Sequence, residues 1–131
     1  MLFEEVTEKI IAAAYKVYNK MGFGYLEKVY ERCMLIELKK DIDLDVKYQC
    51  PVKVEYDGED VGDFIADYVI NDQIIVELKS VRTLVPAHEV QLVNYLRATG
   101  IEIGLLINFG QEKVDIRRKI RQLSQNTNKT D

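Results

Sequence analysis

The feature that most constrains this chain is a pair of apolar β-runs, Val61 to Ile70 and Ile74 to Lys79, separated only by Asn71-Asp72-Gln73. Two such runs, joined so tightly, read as an antiparallel hairpin. Successive strand side chains point to opposite faces, so Glu77 and Lys79 share one face while Val76 and Leu78 share the other. A three-residue loop sets Asp67 opposite Glu77, Tyr68 opposite Val76 and Ala66 opposite Leu78. A two-residue loop would set Asp67 against Val76 and destroy the separation of polar from apolar. The wholly apolar face therefore selects the first register. Two carboxylates and a lysine then meet at the end of strands that otherwise read as core. Charges there cost on the order of several kcal/mol unless they are paired or bound to a metal.

Around this hairpin the chain reads as one domain. Its 131 residues, 47% apolar and 31% charged, suit a soluble globular protein with a real core. Phe3, Val6, Ile10, Ala13, Ala14 and Val17 recur at helical spacing and predict a helix over about 3–20, closed at Gly22. A second helix is expected from about Leu26 to Lys40. Its apolar set of Leu26, Val29, Tyr30, Cys33, Leu35 and Ile36 implies contact on more than one side. Val46-Tyr48 and Val52 to Tyr56 alternate as strands around Pro51, which suits an edge or a bulge, and Asp57-Gly58 signals a turn. A helix is expected from Pro86 to Thr99, closed by Gly100. Ile103 to Ile107 reads as a strand buried on both faces, and Val114 to Ile120 as a last alternating strand. The expected order is α-α-β-β-β-β-α-β-β, a mixed sheet flanked by helices. One domain would span residues 1–123, followed by a polar tail over 124–131.

The triplet Glu77-Leu78-Lys79 has two counterparts, Glu37-Leu38-Lys39 and Asp45-Val46-Lys47. The first lies in a helix, where positions i and i+2 face apart, and the second at an acidic strand entrance. Only Glu77-Leu78-Lys79 ends an apolar strand. Like charges as close as Asp67 and Glu77 raise at least one pKa unless a cation sits between them. Mg²⁺ takes oxygen ligands at about 2.0–2.1 Å, and two carboxylates with the Leu78 backbone carbonyl would suffice beside its waters. The alternative is an Asp67–Lys79 salt bridge on a solvated strand face.

Asp67, nine intervening residues and Glu77-Leu78-Lys79 resemble the core motif of the PD-(D/E)XK nuclease superfamily. Gly24-Tyr25-Leu26-Glu27-Lys28-Val29-Tyr30 resembles the signature of its small GxxExxY proteins. Gln91-Leu92-Val93-Asn94-Tyr95 is similar to the QxxxY motif of its RecB-like branch. The resemblance spans about residues 5–120. It implies a restriction-endonuclease-like α/β (α+β) fold with an αβββαβ core. It also implies a Mg²⁺- or Mn²⁺-dependent nuclease hydrolysing phosphodiester bonds through a metal-activated water. Asp67 and Glu77 match the metal ligands, with Glu27 supporting them and adding to catalysis. Lys79 matches the catalytic lysine, and Gln91 the helix glutamine that places lysine, metal or phosphate. Tyr95, Tyr30 and Arg82 are the expected substrate contacts. Nucleic acid is the implied partner, DNA ahead of RNA.

Other features set bounds. Cys33 and Cys50 lack companions at ligand spacing and read as plain thiols. His88 lies on the face of Gln91 one turn earlier and reads as structural or solvated. The run from Arg117 to Arg121 reads as a solvated edge. A net charge of −4 argues against a passive nucleic-acid binder. No apolar run reaches membrane-helix length and no secretory signal is visible, so a cytoplasmic protein is expected, without membrane contact and compatible with a homodimer. The second reading is a non-catalytic module, binding nucleic acid or protein on the same fold. Intact Glu27, Asp67, Glu77 and Lys79 argue against it.

Overall fold

The computed structural model describes residues 3–121, so the expected boundary at 123 and the tail over 124–131 lie outside the described residues. Two helices come first, α1 (Phe3–Met21) and α2 (Glu27–Lys39), then three strands, β1 (Val46–Tyr56), β2 (Glu59–Ile70) and β3 (Ile74–Lys79). Helix α3 (Pro86–Thr99) and strands β4 (Ile103–Phe109) and β5 (Val114–Ile120) complete the order. The five strands form one sheet in chain order. All neighbours run antiparallel except β3 and β4, which are parallel and linked through α3.

One expected strand is missing, because Val46-Tyr48 and Val52 to Tyr56 are a single strand running through Pro51. Pro51 stays in register opposite Ile65. β1 is the outer strand of the sheet, where a residue without an N–H is tolerated. Asp57 and Gly58 form the two-residue hairpin between Tyr56 and Glu59. Both have positive φ, 52° and 78°, the geometry that matches strand twist in tight hairpins.

The sheet separates two apolar layers. On one face Val6, Ile10, Ala14 and Val17 of α1 and Tyr30, Met34 and Leu38 of α2 pack over Tyr68, Val76, Leu78, Ile107 and Phe109. On the other, Leu92 and Leu96 of α3 pack over Val69, Ile75 and Leu106. β4 is buried on both faces from Gly104 to Phe109, as its unbroken apolar run predicts. Helix α2 departs from expectation only in part. Its buried stripe is narrow, Tyr30, Glu31, Met34 and Leu38, while Leu26 and Ile36 are exposed. Cys33 and Leu35 lie partly buried beside that stripe, so α2 meets both α1 and the sheet, and only Leu26 and Ile36 of the apolar set face outward.

Gly104 sets how closely α3 approaches the sheet. A Cβ there would lie 2.9–3.0 Å from three side-chain atoms of Leu92, which is itself 1% exposed. Gly104→Ala should therefore destabilise the protein by about 1–3 kcal/mol, measured as the midpoint of urea unfolding. An unchanged midpoint would mean that Leu92 has room to move.

Candidate active site

The hairpin register is the one that the apolar face selects: Tyr68 faces Val76, Val69 faces Ile75 and Ile70 faces Ile74. The ladder stops there. Beyond Tyr68 the strands part and side chains replace the backbone pairing. The Leu78 amide donates to Oδ2 of Asp67 at 2.8 Å, and the Asp67 amide donates to Oε2 of Glu77 at 3.0 Å. Asp67 and Glu77 are thus neighbours as predicted, but across a gap and not across a ladder. Ala66 is displaced as well, and packs in the α3 layer instead of beside Tyr68. The amide and carbonyl of one strand residue point toward the same neighbouring strand. The Leu78 carbonyl accordingly shares the side on which its amide meets Asp67.

Helix α2 supplies the other half of the site. Glu27 opens it and Glu31 follows one turn later on the same face. Carboxylate oxygens of Glu27, Glu31 and Asp67 lie within 4.8 Å of one another. Asp67 is 8% exposed and Glu31 6%, so this charge sits in a poorly solvated place. Glu77 stands beside the group, held by the Asp67 amide. Glu31 did not figure among the residues expected from sequence. Its signal was present in Glu27-Lys28-Val29-Tyr30-Glu31, because two like charges at i and i+4 disfavour a helix unless something lies between them.

The electrostatics follow from this crowding. Burial pushes the Asp67 carboxyl up, the Leu78 amide opposes it, and Glu31 and Glu27 push it further. Burial and then Asp67 push Glu77 up. Burial raises Glu27 too, while the Lys79 charge pulls it down. Lys79 acts on all three carboxylates through its field. Three acids therefore share one lysine, and Glu31 beside them meets the Lys28 ammonium at the rim, 3.2 Å away. An all-oxygen, negatively charged donor set of this kind fits a hard divalent cation.

Helix α3 brings its own pair to the opposite side. Burial, and then Glu77 and Asp67, push the Tyr95 pKa up, while the neighbouring Gln91 side chain pulls it down. Tyr95 stacks on Phe64 with ring centres 3.5 Å apart. The i and i+4 spacing thus joins them on one face.

Other expected residues lie elsewhere. Tyr30 is fully buried, stacked on Phe109 at 4.4 Å, and its hydroxyl donates to the Gly22 carbonyl. It anchors the loop before Glu27 and offers no surface to a substrate. The Arg82 guanidinium is bonded to Gln111 on the β4–β5 loop. His88 accepts from the Val85 amide at the start of α3, a structural role. Arg117 and Lys119 both pair with Glu89, and Arg121 with Glu102, so the basic run is a paired edge.

Second contacts brace the site. The Ser80 hydroxyl, next to Lys79, donates to the Tyr25 carbonyl at 2.8 Å. Buried Asn108 bonds both the amide and the carbonyl of Val81 at 2.9 Å. The loops that flank Glu27 and Lys79 are thereby tied to each other and to β4.

The family model described as the PD-(D/E)XK nuclease superfamily matches residues 4–119. The chain belongs to this superfamily. The crystal structure of SSO0001 resembles it with a TM-score of 0.59 at 18% identity, a likeness of fold, over 77% of this chain and 53% of that one. The chain thus spans about half the length of SSO0001. Among curated proteins none matches. Membership in the superfamily accords with the mixed sheet flanked by helices and with the acidic cluster at Glu27, Glu31 and Asp67. Among the described residues no helix is long and apolar enough to cross a membrane.

Proposed function

We propose that this PD-(D/E)XK protein is a divalent-metal-dependent nuclease hydrolysing phosphodiester bonds, with DNA ahead of RNA as its substrate, on the GxxExxY and QxxxY pattern. The observation that carries this reading is the convergence of Glu27, Glu31 and Asp67 within 4.8 Å, beside Glu77 and Lys79, where two strands part. A cation bound there would supply charge to the phosphate under attack and make a water more acidic. Glu27, Glu31 and Asp67 would hold it, with the Leu78 carbonyl as a further oxygen. Glu77 fixes the Asp67 backbone and keeps a second charge on the same side. Lys79 orients the attacking water and stabilises negative charge on the phosphate. Gln91, exposed and beside Tyr95, is within the substrate's reach, and Tyr95 lines the cleft.

The test is cleavage of labelled single- and double-stranded DNA and RNA with Mg²⁺, Mn²⁺ or EDTA. Cutting that requires the metal is the expected result. Folded protein that cuts none of the four substrates with either metal would overturn the reading.

Charge pairing predicts a second property. Among the described residues, nine lysines and arginines pair with carboxylates, half of the chain's 18. With these cations engaged and a net charge of −4, substrate affinity should depend only weakly on salt. With about three phosphate contacts on a single strand, affinity falls by about 20-fold between roughly 50 and 200 mM salt. Fluorescence anisotropy of an oligonucleotide measures this, and a fall of about 10³-fold or more would reveal an unseen basic surface.

A further inference from the structure

We infer that Gln49 is a positioning residue for the carboxylate cluster, holding Glu31 so that the cluster can take a divalent cation. The inference rests on the metal reading above.

Gln49 lies in β1 with φ 57°, in the left-handed region that residues other than glycine, asparagine and aspartate seldom adopt. It sits in a gap of the β1–β2 register: Tyr48 faces Tyr68 and Cys50 faces Ala66, with no pair joining Gln49 to Asp67. In a regular strand, Tyr48 and Gln49 would point to opposite faces of the sheet. Here both reach one oxygen. The Tyr48 hydroxyl lies 3.2 Å and the Gln49 amide 2.9 Å from Oε1 of Glu31. The left-handed residue is what turns Gln49 onto the side of α2. The same irregularity stands opposite Asp67, the residue at which β2 parts from β3. One local distortion thus frees Asp67 from the ladder and supplies a donor to its neighbour in the cluster.

Of the three donors on Glu31, Gln49 is the closest. The Lys28 ammonium is 3.2 Å away on a side chain 55% exposed, so solvent competes for it. Tyr48 is held partly by its own packing on Tyr68. The neutral Gln49 amide fixes the rotation of the Glu31 carboxylate without adding a positive charge that would oppose a cation. Groups that orient metal ligands in this way typically carry 10–100-fold of metal affinity.

The experiment uses Gln49→Gly and Gln49→Asn in the full chain, with Mn²⁺ alone as the probe. Both replacements tolerate positive φ, and neither reaches Glu31 as the longer glutamine does. Titration calorimetry should show Mn²⁺ binding weakened about tenfold or more, with the melting temperature in EDTA equal to or above that of the wild type. Mn²⁺ affinity within twofold of the wild type in both variants would overturn the inference. So would a loss of affinity matched in both by a lower melting temperature in EDTA, which would assign Gln49 to the fold. A wild type that binds no Mn²⁺ would overturn the metal reading itself, an outcome distinct from wild-type binding that Gln49 does not affect.

Discussion

Lys79→Met and Asp67→Asn should each lower metal-dependent cleavage by about 10³-fold, and their effects on metal binding should be opposite. Lys79 contributes a positive charge in the field of Glu27, Asp67 and Glu77. Removing it leaves the acids with less compensation, so the Lys79 variant should bind Mn²⁺ as tightly as the wild type or more tightly. Asp67→Asn removes one of three carboxylates that meet within 4.8 Å and should weaken Mn²⁺ binding. Asparagine is preferable to alanine because its side-chain oxygen can still accept from the Leu78 amide. Alanine would leave that buried donor unpaired, at a cost of about 1–3 kcal/mol, and confuse lost folding with lost chemistry. Single-turnover cleavage with calorimetry on the same preparations separates the roles. A Lys79 variant that cuts at the wild-type rate would remove lysine from the chemistry. One that loses both Mn²⁺ binding and cutting would place Lys79 in the architecture of the site.

What could be read from sequence was whatever local rules decide. The hairpin register followed from a single constraint, the need to keep Tyr68 and Val76 on an apolar face, and the structure keeps it. Helix ends at Gly22 and Gly100 and the turn at Asp57-Gly58 followed from positive φ. The site was less legible, because its geometry depends on where regular structure breaks. Period-two reasoning carried Ala66 and Leu78 on as a pair, yet β2 leaves the ladder at Asp67 and Ala66 changes layer. The distortion at Gln49 carries no glycine or asparagine to betray it. Tyr30 shows the converse error. It belongs to a motif that suggests contact with substrate, but its ring is buried against Phe109, and only the packing of α2 on the sheet decides that. Glu31 was missed because a glutamate in a charged helix looks like a solvated one until the strand opposite is in place.

The second large effect is on stability, and its sign follows from the same crowding. Buried carboxyls whose folded pKa lies above the unfolded value keep their protons after the unfolded chain has lost its own near pH 4. In the folded protein Asp67 is raised to about 6 and Glu77 to about 8, burial being the main cause of both. Between the unfolded and folded values the native state binds more protons, so stability must fall as pH rises. The metal-free protein should therefore melt lower at pH 8 than at pH 5, by at least roughly 5–10 °C for a loss of about 2 kcal/mol or more. A divalent cation reverses this, because it binds the ionised carboxylates and competes with their protons. Mn²⁺ should raise the melting temperature strongly at pH 8 and little at pH 5. Asp67→Asn in EDTA should flatten the pH dependence and melt above the wild type at pH 8, having lost one of the charges that the fold strains to hold. Scanning calorimetry of wild type and variant at the two pH values, in EDTA and in Mn²⁺, measures all of these shifts. Metal-free protein that grows more stable from pH 5 to pH 8 would mean that the carboxylates are already compensated by the chain itself. The cluster would then have no electrostatic need for a metal.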